Sequence, residues 1–106
     1  MANEPPTGTY FRSRLGTPEM ADRLRAELPE FDWHLGDSDY FRYYYVRGER
    51  ADGLRVRIEP EDDPDAYYLG VYCGRMRPIP DREWQIATAR ELHAQVLLLV
   101  EGIRRS

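Results

Sequence analysis

Residues 54–59 read LRVRIE, and this stretch decides the fold class. Apolar and charged side chains alternate along it with a period of two, the pattern of a β-strand that buries one face. The apolar members are Leu54, Val56 and Ile58, and the charged members are Arg55, Arg57 and Glu59. We therefore predict an antiparallel sheet whose inner face carries the apolar set and whose outer face carries the charged set.

Further period-two segments lie on both sides of this stretch. They predict three to four strands, at residues 31–35, 40–47, 54–59 and 66–73. Turn-forming residues separate the strands, namely GDSD (36–39), GERADG (48–53) and PEDDPD (60–65). Such short connections join neighbouring strands as antiparallel hairpins, so we expect a meander. An additional N-terminal edge strand is predicted in TYFRSRL, residues 9–15.

Two helices flank the predicted strands. We expect the first to begin at Thr17, as a capping residue, and to end before Pro29. The second is predicted from Asp81, also a capping residue, to about Arg104. Their core stripes are Met20, Ala21, Leu24 and Leu28 in the first helix, and Ala89, Leu92, Val96, Leu99 and Ile103 in the second. The predicted fold class is α+β, with both helices packed on one face of the sheet.

The length of 106 residues is that of one domain. We divide the chain into a flexible N-terminal lead, residues 1–8, and a single α+β domain, residues 9–106. The composition is 42% hydrophobic and 32% charged, which excludes a disordered chain, and no apolar run is long enough to span a bilayer. The lead lacks the features of a secretory signal, and a lone cysteine suits a reducing compartment. We therefore expect a cytoplasmic protein.

The arginine content indicates the source of the protein, and the net charge limits the classes of partner. All 15 Lys and Arg positions are arginine, which a GC-rich coding sequence explains and which points to a bacterial or phage source. The formal net charge of −4 does not favour binding to nucleic acid or to anionic lipid. We therefore expect no membrane partner.

Residues that could perform catalysis or bind a metal form no recognisable set. His34 and His93 lack the spacing of a metal site, which would also need a carboxylate such as Asp37 or Asp39. Cys73 ends a predicted strand, where a small buried thiol is expected rather than a nucleophile. We expect no metal and no cofactor, and the weakest alternative is a small enzyme that uses His34, Asp37, Asp39 or His93.

The segment EPEDDPD, residues 59–65, concentrates carboxylates in a turn. It lacks the alternating ligands and the central glycine of a calcium loop. Glu61, Asp62 and Asp63 are therefore expected in a solvated hairpin turn that can dock onto a basic partner.

Tyrosine is the most unusual local feature, with eight in the chain, concentrated in YFRYYYVR (40–47) and AYYLGVYCG (66–74). If Phe41, Tyr43 and Tyr45 point inward, the residues that point outward on these strands and on LRVRIE are Arg42, Tyr44, Arg55, Arg57, Tyr68 and Tyr72. Arginine and tyrosine are enriched at interface hot spots. Tyrosines also suit a half-exposed sheet that binds nothing, so this pattern alone does not establish an interface.

The end of the second helix is apolar around its whole circumference, from Val96 to Val100. Either this helix is wedged between the sheet and the first helix, or its second apolar side contacts another copy of the chain. In the second case Leu97 and Leu98 would form a homodimer interface.

These features favour a small acidic protein-binding module. It would be an inhibitor or immunity-type protein of a bacterial or phage conflict system that acts by stoichiometric binding to a protein partner. The predicted binding residues are the six outward sheet residues together with Glu61, Asp62 and Asp63.

The alternative is a single-stranded nucleic-acid-binding domain. Tyr44, Tyr68 and Tyr72 would stack bases, and Arg42, Arg55 and Arg57 would hold phosphates. The order of elements resembles that of the double-stranded-RNA-binding domain, of some secretion chaperones and of several toxin-immunity proteins. The RNA-binding family holds phosphates with lysines at the start of its last helix, where this chain reads Asp81, Arg82, Glu83 and Trp84.

Overall fold

The structure is a computed structural model that describes residues 7–37, 44–63 and 65–100. These ranges form a five-stranded antiparallel sheet and two helices, so the α+β class is confirmed. The strands are β1 (Gly8–Arg12), β2 (Phe31–Asp37), β3 (Tyr44–Arg50), β4 (Arg55–Pro60) and β5 (Ala66–Tyr72), and the helices are α1 (Thr17–Glu27) and α2 (Arg82–Val100). The strand count of five exceeds the expected three to four, because the N-terminal segment forms β1 as a full member of the sheet.

Strands β2 to β5 form a meander, and β1 extends it beyond β5. The spatial order is β1-β5-β4-β3-β2, so the chain crosses from one edge of the sheet to the other between β1 and β2, through α1. Phe11 of β1 lies opposite Tyr67 of β5, and their rings stack with centroids 5.5 Å apart. Both side chains are buried, which anchors β1 to the core.

LRVRIE lies in the centre of the sheet. Val56 is paired with Val71 of β5, and Ile58 lies between Leu69 of β5 and Val46 of β3. None of these five side chains is more than 1% exposed. The inward and outward assignment of this stretch is confirmed, because the apolar side of β4 meets apolar residues on both neighbouring strands.

The register of β3 differs from the predicted one. Val46 is fully buried, so Tyr45 lies on the outer face and Tyr44 belongs to the side of Val46. The expectation that Tyr45 points inward and Tyr44 outward is therefore wrong. Burying valine leaves no hydroxyl to satisfy, whereas a tyrosine at that place would need a hydrogen-bond partner. Gly48, on the same side, leaves room for Trp33, whose ring would lie 2.5 Å from a Cβ at position 48.

The hairpin turn between β3 and β4 is shorter than the predicted GERADG, because β3 continues to Arg50. Asp52 accepts hydrogen bonds from Arg50 Nε at 3.0 Å and Nη2 at 2.8 Å, and from the Leu54 amide at 3.3 Å. Gly53 has φ +98°, in the left-handed region that favours glycine. The bond from Arg50 lowers the Asp52 pKa and keeps this carboxylate charged in the turn.

Both helices contribute to the core. Helix α1 contacts β2 and β3, α2 contacts β5 and β1, and the two helices contact each other. Leu24, Leu92 and Val96 are buried as predicted, whereas Leu28 and Leu99 are only partly buried against the core. No helix within the described ranges is long and apolar enough to span a membrane.

The helix starts show two capping arrangements. Gly16, and not the predicted Thr17, is the N-cap of α1, and its amide donates to Glu19 Oε1 at 2.9 Å. Thr17 is instead the first helical residue and is buried. Asp81 caps α2 as predicted, since its Oδ1 accepts a hydrogen bond from the Trp84 amide at 2.9 Å. The predicted end of α2 near Arg104 lies outside the described residues.

Candidate functional site

The outer face of the sheet, opposite the core, carries a cluster of arginines. Arg47 of β3 lies directly opposite Arg57 of β4, and Arg55 precedes Arg57 on the same face. Arg75, which follows β5, reaches the same area. We call Arg47, Arg55, Arg57 and Arg75 the arginine patch.

Two glutamates pair with three of the four guanidinium groups of the patch. Glu59 Oε2 lies 3.0 Å from Arg57 Nη2. Glu49 Oε2 lies 3.3 Å from Arg55 Nε and 3.9 Å from Arg75 Nη1. Three of the four patch arginines thus pair with two glutamates, so the patch has an excess of positive charge although the whole chain carries −4.

Three nitrogen atoms of the arginine patch are buried without a hydrogen-bond partner in the described part of the chain. The Nε atoms of Arg47, Arg55 and Arg57 are buried, and none of them has a hydrogen-bond partner among the described residues. Arg55 Nε is close enough to Glu49 for an ion pair but is not in hydrogen-bonding geometry. A buried donor without an acceptor costs about 1–3 kcal/mol, so these three Nε atoms lower the stability of this part of the sheet.

Three tyrosines lie flat on the outer face, each across a glycine. The pairs are Tyr72 over Gly70, Tyr45 over Gly36 and Tyr68 over Gly8. A Cβ at these glycines would lie only 1.7 to 2.4 Å from the nearest tyrosine atom, so the rings need glycine beneath them. The Arg57 guanidinium carbon lies 4.6 Å from the centre of the Tyr45 ring, a cation–π contact. Tyr10 meets Tyr68 edge to face at 4.9 Å between centroids.

A depression of about 210 Å³ lies within the patch, lined by Arg55, Arg57, Tyr72, Gly74 and Arg75. Burial, followed by the charge of Glu59, raises the pKa of Tyr72 above its ordinary value of 10.0. The Tyr72 hydroxyl is therefore protonated at neutral pH and can donate a hydrogen bond. Three guanidinium groups and one hydroxyl donor around a small depression suit an anionic group.

The turn between β4 and β5 carries the opposite charge. Asp62 and Asp63 are exposed, Glu61 is half-buried, and Asp63 Oδ2 pairs with Arg12 Nη2 at 3.2 Å. We call Glu61, Asp62 and Asp63 the acidic turn. Along the strand, Arg57 of the patch lies four positions before Glu61, roughly 13 Å of extended chain, which is longer than the Debye length of about 8 Å. The two charged regions therefore act separately, and the outer face has a positive and a negative end.

A second, larger depression adjoins the acidic turn. It has a volume of about 600 Å³ and is lined by Tyr10, Phe11, Arg12, Ala66 and the acidic turn. Tyr10 is 69% exposed, which makes it the most exposed aromatic side chain of the described residues. The negative end of the face therefore also has an aromatic contact surface.

The structure brings together part of the predicted binding set and separates the rest. Four predicted outward residues share the outer face: Arg55, Arg57, Tyr68 and Tyr72. Tyr44 lies on the opposite side and is 50% exposed, while Arg42 lies outside the described residues. The prediction missed Tyr10, Tyr45, Arg47 and Arg75. The correct register of β3 would have found Tyr45 and Arg47, and the glycines at strand positions were an available signal for close-lying rings.

The two histidines are far apart in the fold. His34 lies on the outer face of β2, with Nε2 3.0 Å from Asp32 Oδ2. His93 lies on α2, where Nε2 is 3.2 Å from the Thr7 carbonyl oxygen, near the start of β1 at the other edge of the sheet. Burial lowers the pKa of His93. The structure therefore does not assemble His34 and His93 into one site.

The remaining residues considered for chemistry do not form a centre. Cys73 is buried, and burial raises the pKa of its thiol, which disfavours the nucleophilic thiolate. Asp39 and the side chain of Asp37 lie outside the described part of the chain. Within that part, no three His, Cys, Asp or Glu residues are grouped so that they could hold a metal ion.

The apolar end of α2 is largely covered. Val96 and Val100 are buried, and Leu97 and Leu99 pack against the core as partly buried side chains. Leu98 alone in this run is strongly exposed, at 79%. Most of the circumference is thus covered within the chain, and among residues 96–100 Leu98 is the side chain most available for contact with another copy.

The chain matches no protein-family model, and comparisons with curated proteins and with solved structures find no match either. No relative therefore assigns a role to the outer face. The arrangement can bind charged groups of both signs, anions at the arginine patch and cations at the acidic turn, with tyrosine rings between the two.

Proposed function

We propose that this chain is a non-enzymatic protein-binding module that binds one protein partner stoichiometrically, as inhibitor and immunity-type proteins of bacterial and phage conflict systems do. The outer face of the sheet supports this proposal, because it combines an arginine patch, flat tyrosines and an acidic turn. Arginine and tyrosine supply much of the binding energy at protein interfaces. The partner would present acidic residues to the patch and basic residues to the turn.

Restraint of the arginine side chains also supports an interface. Arg57 is held between Glu59 at 3.0 Å and the Tyr45 ring at 4.6 Å, and Arg55 is held by Glu49. A side chain that is already restrained loses less conformational entropy when a partner binds. Arg55 and Arg57 are therefore preorganised for binding.

Single-stranded nucleic acid is the competing ligand, and two features disfavour it. Tyr44 lies on the other side of the sheet, so the proposed stacking platform of Tyr44, Tyr68 and Tyr72 is not assembled. A polyanion that crossed the face would also leave the positive patch and meet Glu59 and the acidic turn. A folded protein with charges of both signs suits this face better.

The test is affinity capture from the source cells followed by titration with the purified partner. We expect the wild-type chain to bind one protein in a 1:1 complex. Arg57→Ala should weaken this complex about 30-fold, which is about 2 kcal/mol, as expected for a central anchor. Arg90→Ala removes an exposed arginine from α2 and is the matched control, which should leave the affinity unchanged. Thermal melts would establish that both variants remain folded.

Three results would contradict the proposal. Equal affinities for Arg57→Ala and Arg90→Ala would exclude the arginine patch as the interface. Binding that weakens only when the acidic turn is reversed in charge would move the site to that turn. Recovery of nucleic acid, with an affinity that falls steeply as salt rises, would favour the competing function.

A further inference from the structure

We infer that the group anchored by the arginine patch is a carboxylate of the partner, held in the depression between Arg55, Arg57 and Arg75. This inference rests on the proposed function and specifies its chemistry. The depression has a volume of about 210 Å³, which suits a single side-chain head group rather than a whole peptide segment. The partner would therefore supply one aspartate, glutamate or C-terminal carboxylate at this position.

The charge around the depression is incompletely neutralised. Glu49 is the only carboxylate paired with Arg55 and Arg75 among the described residues, and it lies 3.3 and 3.9 Å from their nitrogen atoms. The longer distance is at the limit of an ion pair, so Arg75 is weakly held. A carboxylate from outside can therefore pair with Arg75 without displacing a strong internal contact.

Hydrogen-bond donors that suit a carboxylate surround the depression. Guanidinium groups pair with carboxylates through two parallel N–H···O bonds, which provides direction as well as charge. Tyr72 adds a neutral hydroxyl, whose raised pKa keeps its proton in place at neutral pH. Gly70 beneath the Tyr72 ring holds this hydroxyl close to the sheet and beside the arginines. An acceptor with two oxygens can thus be bound by arginine and tyrosine together.

The surroundings favour a single carboxylate over a chain of phosphates. Glu59, paired with Arg57, and the acidic turn lie further along the same face. One carboxylate needs only the positive end, whereas successive phosphates would extend their charge toward these acidic residues. The local excess of positive charge is therefore sufficient for a carboxylate and unfavourable for a polyanion.

Gly74 provides the decisive variant, because it lies at the rim of the depression. No atom lies within 4 Å of a Cβ built at this position, so a side chain can be added. Gly74→Glu would place a tethered carboxylate beside Arg55 and Arg75, where it competes with a carboxylate from outside. Gly74→Gln has the same shape without the charge and is the matched control.

The probe is a blocked six-residue peptide that carries one aspartate among uncharged residues, and its counterpart with asparagine at that position serves as the uncharged reference. Binding would be followed by NMR of the full chain through the Nε–Hε signals of Arg55, Arg57 and Arg75. We expect saturable shifts with the acidic peptide and none with the reference peptide. Gly74→Glu should weaken the binding about tenfold or more, whereas Gly74→Gln should change it less than about twofold.

The outcomes distinguish this inference from the proposed function. The absence of saturable shifts with the acidic peptide, or equal binding by Gly74→Glu and Gly74→Gln, would overturn the inference. Tighter binding of a single-stranded oligonucleotide at the same signals would overturn it in favour of phosphate. If the captured partner depends on Arg57 but binds Gly74→Glu normally, the proposed function stands and the carboxylate anchor is wrong. If capture does not depend on Arg57, the proposed function itself fails.

Discussion

Replacing Val96 by aspartate tests whether α2 is anchored to the core as the structure describes. Val96 is fully buried, and it belongs to the same core cluster as Leu24 of α1 and Leu69 of β5. Ala94, two residues earlier on the same helix, is exposed. Ala94→Asp is therefore a matched control, since it introduces the same side chain at a neighbouring position without burying it.

The expected loss follows from the burial of position 96. Removing a fully buried valine costs about 1.5–3 kcal/mol of transfer free energy. The new carboxyl must remain neutral in the core, and a pKa raised by about three units adds about 4 kcal/mol at neutral pH. The total of about 6 kcal/mol is comparable to the whole stability of a small domain, about 5–15 kcal/mol. Ala94→Asp should lose no more than about 1 kcal/mol, mainly through helix propensity.

Urea denaturation followed by circular dichroism measures both variants. We expect Val96→Asp to be largely unfolded at neutral pH. Near pH 4, where the carboxyl is more readily protonated, the difference in the free energy of unfolding between Val96→Asp and the wild type should become smaller. If Val96→Asp yields no folded protein at all, Val96→Ala should still lose about 2 kcal/mol, from the two methyl groups and the cavity they leave. Equal losses for Val96→Asp and Ala94→Asp, or a wild-type-like Val96→Ala, would refute the placement of α2.

Two further predictions concern pH and self-association. Burial lowers the pKa of His93 from 6.5, so the unfolded chain binds this proton more readily. The contribution of His93 to stability should thus be constant above pH 6.5 and decline as the pH falls below it. The melting temperature of His93→Gln should therefore depend less on pH than that of the wild type. An unchanged pH dependence of the melting temperature would contradict this prediction. We also propose a homodimer through α2, in which the exposed Leu98 makes the contact and the partly buried Leu97 contributes little. Light scattering at high micromolar concentration should give the mass of two chains for the wild type and of one for Leu98→Gln, and a single-chain wild type would end the proposal.

The local parts of the fold were predictable from the sequence. The alternation in LRVRIE predicts which residues of β4 are buried, because a strand's side chains point to opposite faces in turn. The capping aspartate at 81 and the apolar spacing that includes Leu24 predict the two helices for a similar reason. These signals depend only on residues a few positions apart. Arg55 and Arg57 could therefore be assigned to the outer face before the structure was known.

The register of β3 could not be predicted from its own residues. YFRYYYVR has aromatic residues on both faces, so its alternation does not indicate which side is buried. Pairing decides it, because Val46 lies between Leu35 of β2 and Ile58 of β4, and Gly48 accommodates the Trp33 ring. These contacts involve residues of other strands, which the alternation within β3 does not reveal. The misplacement of Tyr44 follows directly from that missing information.

The sequence by itself thus determined the α+β class, the two helices, the central strand and the outward direction of Arg55 and Arg57. Only the tertiary structure decided the position of β1 beside β5, the register of β3 and the assembly of the arginine patch. Arg75 joins that patch from beyond β5, and Tyr68 lies over Gly8 of a strand far away in the sequence. The physical reason is that helix caps and strand alternation depend on near neighbours, whereas a surface depends on which distant strands pair and in which register.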